Sequence, residues 1–158
     1  MNAKAETFGV WDYCSNSALR RASRQLGQLY DDVLKPSGLR ITQYSLLTQI
    51  LFSDAPPLKV LAEMMVMDLS ALGHTLKPLI REGLVELVPD GKDRRVKRAQ
   101  LTDTGRKAWE ETNELWRDAQ ARFDNAFGTA EAKAMRKAME VVSSKDFARR
   151  FAGLPERD

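Results

Sequence analysis

The chain has one cysteine and one histidine among 158 residues. A lone cysteine excludes an intrachain disulfide framework, and the two residues together are too few for a Cys/His zinc site within one chain. No apolar run nears the ~18 residues needed to span a bilayer. The opening stretch MNAKAETFGVWDYC lacks an uninterrupted apolar core and a small-residue cleavage site. No secretory signal is read there, and the expected compartment is the cytosol. Glycine-rich phosphate loops, nucleophile elbows and metal-ligand clusters are all missing, so neither an enzyme nor a cofactor is expected. Charge of one sign is scarce as well: 25 Lys+Arg against 22 Asp+Glu leaves +3. So small an excess does not establish a nucleic-acid partner, and its placement matters more than its sum.

What the chain does have is helical periodicity. With 43% hydrophobic and 30% charged residues it has the balance of one soluble compact unit. Residues 8–35 predict a helix with Leu19, Ala22, Leu26, Leu29, Tyr30 and Val33 on one face. Pro36 and Gly38 end it. Thr42 is placed to cap a second helix carrying Tyr44, Leu47 and Leu51. After the Asp54-Ala55-Pro56-Pro57 break comes a short helix with Leu58, Leu61, Ala62 and Met65. A further helix, begun by Asp68 or Ser70, carries Leu69, Leu72, Leu76, Leu79 and Ile80, contains Pro78 and ends at Gly83. Two short helices joined tightly form a helix-turn-helix pattern.

Leu84 to Val88 and Val96 to Leu101 then read as two strands around the turn Pro89-Asp90-Gly91-Lys92-Asp93, a β-hairpin. Thr102 caps a long helix with Ala108, Trp109, Thr112, Trp116, Ala119, Phe123 and Phe127 on one face. Gly128-Thr129 breaks it, and one last helix carries Ala132, Met135, Met139 and Val142, with Phe147, Phe151 and Leu154 behind. The aromatic stripe of the long helix exceeds what residues 36–101 can cover. A second copy of the chain is expected to bury the rest, in a homodimer.

The hairpin also gathers the charge. Residues 92–98, Lys-Asp-Arg-Arg-Val-Lys-Arg, carry a net +4, which leaves about −1 for everything else. Such a tip suits phosphates and a narrow minor groove. The plainer reading is a solvated turn whose charges keep a strand edge from aggregating. The helix-turn-helix just upstream favours DNA.

Four stretches, ALRRASRQLGQLYD (18–31), GLRITQYSLLTQI (38–50), LAEMMVMDLSALGHTLKPLIREGLVE (61–86) and PDGKDRRVKRAQLTDTGR (89–106), resemble the MarR family of winged-helix transcriptional regulators. The most specific match is Asp93-Arg94-Arg95 followed by Leu101-Thr102-Asp103-Thr104-Gly105. The resemblance implies a mainly α fold with a β-hairpin wing. Residues 36–101 would form the DNA-binding winged helix-turn-helix, and residues 1–35 and 102–158 the helical dimerisation region. It implies an inverted-repeat operator in double-stranded DNA, and repression relieved by a small aromatic or phenolic ligand. Arg95 would enter the minor groove, with Asp93 holding its guanidinium; the alternative for Asp93 is a turn former bonding its own backbone. Lys92, Arg94 and Lys97 would meet phosphates or remain solvated. The helix from about residue 69 to 82 would lie in the major groove.

Relatives often carry a polar run at the start of that helix. Here it reads Leu69-Ser70-Ala71-Leu72-Gly73-His74, so Ser70, His74, Thr75 and Lys77 are the candidate contacts. The turn position often held by glycine is Val66. A ligand pocket would draw on Trp11, Tyr13, Tyr44 and Trp109, with Arg20 for a carboxylate; Tyr44 and Trp109 read equally as core residues. Cys14 raises a thiol-based alternative. The family's peroxide-sensing cysteine would fall on Asn16, two positions away, and a buried inert thiol is the plainer reading. A winged-helix protein-interaction module without DNA is the remaining alternative.

Overall fold

A computed structural model of the chain describes residues 13–154. Among the described residues the architecture is the expected one, mainly helical with one two-stranded antiparallel hairpin. Helix α1 spans Ser15–Leu34 and runs into a 3-10 turn, Lys35–Ser37, closed by Gly38 at φ 75°. Helix α2 spans Ile41–Phe52. Its start is one point where the structure departs from the sequence reading. Thr42 lies inside the helix, and the start is at Arg40. Gln43 Oε1 accepts the Arg40 N–H at 2.9 Å, and Asp31 Oδ1 of α1 accepts the Ile41 N–H at 2.7 Å. Two side chains thus accept backbone N–H groups at the start of the helix.

Helices α3 (Leu58–Met64) and α4 (Leu69–Arg81) follow, then strands β1 (Val85–Pro89) and β2 (Lys97–Leu101). Pro78 does not end α4, which continues for three more residues. The strands pair in register from Val85↔Leu101 to Pro89↔Lys97. Helix α5 is Asp103–Phe127, capped as expected by Thr102, whose Oγ1 accepts the Gly105 N–H at 3.0 Å. The C-terminal segment is two helices rather than one, α6 (Thr129–Val142) and α7 (Lys145–Phe151). Ser144 starts the second by accepting the Phe147 N–H.

Among the described residues, two clusters gather most of the buried apolar side chains. The larger joins Leu46, Leu47 and Ile50 of α2 to Leu61, Leu72, Leu76, Leu79, Val85, Ala99 and Leu101. The smaller joins Leu34 of α1, Tyr44 of α2 and Ala119 of α5, with Trp109 and Trp116 packed against it. Helix α2 therefore serves both cores, with Tyr44 turned to one and Leu47 to the other. The Tyr44 ring stacks on Trp109 (centroids 6.3 Å) and on Trp116 (5.9 Å). The aromatic stripe on α5 is thus partly covered within the chain. Its first half is covered within the chain, which leaves Phe123 and Phe127, stacked on each other at 5.4 Å.

The joint between β1 and α5 is tight. The Leu84 carbonyl accepts the Thr102 N–H at 3.1 Å, and Thr102 Oγ1 donates to the Gly83 carbonyl at 2.6 Å. A Cβ on Gly105 would lie 1.9 Å from the Leu84 carbonyl oxygen. The Leu-Thr-x-x-Gly stretch thus has a physical basis here. The threonine caps the helix and ties it to the hairpin, and the glycine allows the approach.

Candidate nucleic-acid interface

The turn between α3 and α4 is built on backbone hydrogen bonds, Val66 N–H to Glu63 C=O (3.1 Å) and Met67 N–H to Ala62 C=O (2.9 Å). It requires a left-handed residue, and Val66 supplies it at φ 52°. A β-branched residue is strained there, which is why glycine suits the position. Asp68 then caps α4, accepting the Ala71 N–H at 2.8 Å.

Helix α4 seals Leu72, Leu76 and Leu79 into the core. Its outward side carries Leu69, Ser70, Gly73, His74 and Lys77, all exposed. Ser70, His74 and Lys77 are thus brought to one surface. Thr75 is not: it is half-buried, and its hydroxyl donates to the Ala71 carbonyl at 3.0 Å. A threonine bonded back to its own helix is a poor base-reading group.

The wing loop is ordered by its two aspartates. Asp90 Oδ1 accepts the N–H groups of Lys92 (2.8 Å) and Asp93 (3.1 Å). Asp93 grips Arg95 with both oxygens, from Nε and Nη2 at 3.0 Å each, and also accepts the Arg95 N–H at 3.1 Å. The two readings of Asp93, guanidinium holder and turn former, therefore describe one geometry. The Arg95 side chain is 90% exposed. Its guanidinium is oriented yet open to solvent, and it lowers the Asp93 pKa through the side-chain hydrogen bond. Lys92, Arg94 and Lys97 stand exposed around it.

Arg98 behaves differently, and the charge count in the sequence did not separate it from the tip. It turns to the wing base, where Nε donates to Asp90 and Nη1 donates to the Ala55 carbonyl at 2.7 Å. The Arg98 bond, followed by the two backbone N–H groups, holds the Asp90 carboxyl down to about 2. Ala55 and Asp54 both adopt left-handed backbone, at φ 53° and 50°. Next to them, the Ala99 N–H donates to the Pro56 carbonyl at 3.1 Å. The wing is thereby fastened to the turn that precedes α3. Strand alternation sets Arg98 apart from Ala99, but no local signal places Ala55 opposite it.

The expected ligand residues do not come together. Trp11 lies outside the described residues. Tyr13 is 90% exposed and Arg20 is exposed, and neither lines a cavity with Tyr44 and Trp109. Those two share a cavity of about 480 Å³ with Thr48, Phe52, Asn113, Trp116 and Arg117. Within it the Tyr44 hydroxyl donates to Asn113 Oδ1 (2.8 Å) and Trp109 Nε1 to Thr48 Oγ1 (2.9 Å). A second apolar groove of similar size lies between α1, α5 and α6, beside Leu26, Phe123, Met135 and Arg136. Cys14 is the half-buried N-cap residue of α1. Among the described residues no group of three or more His, Cys, Asp or Glu side chains could hold a metal ion. No described helix is long and apolar enough to cross a membrane.

A helix-turn-helix backed by a basic hairpin and set between long terminal helices defines a winged-helix transcriptional regulator. The MarR family signature matches residues 39–97. No match is found among the curated proteins. Among solved structures, the transcriptional regulator MosR of M. tuberculosis, in complex with DNA, is 34% identical with a TM-score of 0.76. The match covers 87% of this chain and 98% of that one. A mutant of E. coli MarR complexed with operator DNA is 20% identical, at a TM-score of 0.74 and coverages of 90% and 99%. CouR of Rhodococcus jostii, bound to p-coumaroyl-CoA, is 22% identical, at 0.72 and coverages of 85% and 95%; these last two show likeness of fold. The chain belongs to the MarR family.

Proposed function

We propose that the protein is a homodimeric repressor that binds an inverted-repeat site in duplex DNA and is released by a small aromatic ligand. The observation that carries the DNA reading is the Arg95 guanidinium, fixed by Asp93 on an exposed loop. An arginine held in place loses less freedom on entering a minor groove than a floppy one would. Residues 36–101 form the DNA-binding unit, and residues 1–35 and 102–158 supply the dimer contacts. Support for the dimer comes from apolar side chains that the single chain leaves exposed at its terminal helices, namely Leu29, Phe127, Val141, Phe151 and Leu154. A two-fold dimer sets two copies of α4 into successive major grooves about 10 bp apart, with the wings over the flanking minor grooves. Occupying such a site excludes other proteins from it, hence repression. The aromatic cavity between α2 and α5 suits the ligand. Arg117 at its edge meets a carboxylate, and α2 belongs to both cores, so a bound ring shifts one core against the other.

The test is binding of the full chain to a genomic duplex pool across a salt series. A linear fall of log affinity with log salt, reduced in slope by Arg95→Ala, supports the reading. Absence of binding at low salt would leave a winged-helix protein-interaction module in its place.

A further inference from the structure

The leading end of α4 is apolar where a DNA-reading surface is usually polar. Leu69 is 56% exposed and Val66, three residues earlier, is 70% exposed, although Leu72, Leu76 and Leu79 of the same helix are sealed. Exposure of Leu69 is not forced by crowding, because α4 already buries one full stripe and presents the opposite one. Leu69, Gly73 and Lys77 follow one another at successive turns on the outward side. A Cβ at Gly73 would meet nothing within 4 Å. The missing side chain therefore serves no packing inside the chain. What it leaves is a notch between a leucine and a lysine, open to a close partner.

We infer that Leu69 is a specificity-determining residue that contacts the C5-methyl group of a thymine in the major groove. This rests on the DNA-binding reading above. Of all features on the base edges in that groove, only the thymine methyl is apolar. A branched aliphatic side chain at the tip of the inserted helix matches it. Ser70 and His74, on the adjoining line of the helix, carry the donors and acceptors that the paired adenine requires. Lys77, exposed two turns further along the same line of the helix, adds a cation that fits a polyanion rather than an apolar protein surface. Gly73 lets the base edge approach the helix backbone.

The probe is a duplex enriched from a random pool by the full-length protein. It is resynthesised with deoxyuridine replacing one thymine at a time, which removes a single methyl and keeps every hydrogen-bonding group. For the wild type, one or two positions in each half-site should bind about fourfold more weakly, the worth of one buried methyl-sized group. Leu69→Ser should bind the thymine and deoxyuridine duplexes equally, and Leu69→Met should keep the difference. Serine is well tolerated at an exposed helix start, and a thermal melt confirms that the variant is folded. Indifference of the wild type to every replacement would overturn the inference, as would equal sensitivity in Leu69→Ser. Failure to enrich any duplex would instead overturn the DNA reading, and this inference with it.

Discussion

Replacing Gly105 by alanine probes the joint between the hairpin and the long helix. The new Cβ would sit 1.9 Å from the Leu84 carbonyl oxygen and 2.8 Å from its carbon. An ordinary carbon–oxygen contact is about 3.3 Å, so backbone must move by more than 1 Å. The atom in the way is itself the acceptor for Thr102 N–H. Moving it disturbs the cap as well as the packing. Overpacking costs about 1–3 kcal/mol, and a weakened buried hydrogen bond adds about 1 kcal/mol. The better helix propensity of alanine returns about 1 kcal/mol. The net loss is about 2 kcal/mol, or a Tm lower by about 4–8 °C for a chain of this size. A circular-dichroism melt measures it, with Gly73→Ala as the control of opposite sign. With open space around it, Gly73→Ala should gain about 1 kcal/mol. An unchanged or higher Tm for Gly105→Ala would mean that the close approach of Leu84 to this helix does not require glycine.

Three further outcomes follow from the same geometry. Val66→Gly removes a β-branched residue from φ 52° and should stabilise the chain by about 1 kcal/mol in urea unfolding, as the relief of strain outweighs glycine's entropy cost. Arg95→Ala should weaken DNA binding by at least about fivefold at fixed salt without changing the melt, and Asp93→Ala should weaken it less, since the charge remains but its orientation is lost. The Asp90 carboxyl, folded near 2 against an ordinary 3.8, contributes stability that is present above pH 4 and lost as pH falls through about 2. Carboxyl NMR should show that low midpoint, and Arg98→Leu should raise it toward 3.8.

The helix-turn-helix and the wing were legible because their signals are local. The spacing of Leu72, Leu76 and Leu79, the Asp68 cap, the Thr102 cap and the Pro89–Asp93 turn all act within a few residues. The Asp93–Arg95 pair was expected from the resemblance to the MarR family, and its members lie two positions apart. Arg98 was not legible, since its carbonyl partner Ala55 is 43 residues away and, with Asp54, is one of two non-glycine residues in left-handed backbone. Nor was the covering of Trp109 and Trp116 by Tyr44, which depends on how α2 lies across α5. The start of α2 escaped because its first N–H groups are taken up by Gln43 and by Asp31 of another helix, so the N-cap falls at Arg40, two residues before Thr42. Ser144 escaped too, because the apolar residues beyond it continue the spacing of α6 well enough to hide a new helix. The scattering of Tyr13 and Arg20 away from Tyr44 has the same origin, in that residue type suggests a pocket but tertiary packing decides its members.

A symmetric dimer that reads an inverted repeat through α4 and the wing imposes a fixed spacing on its site. The most direct measurement is sequencing of random duplexes enriched by the full chain, followed by binding to the winning site with five base pairs inserted at its centre. A symmetric dimer should yield a palindromic site with half-site centres about 10 bp apart, and should lose tight binding when the half-turn insertion rotates one half-site to the opposite face. Recovery of a non-repeated sequence, or binding that ignores the insertion, would contradict it.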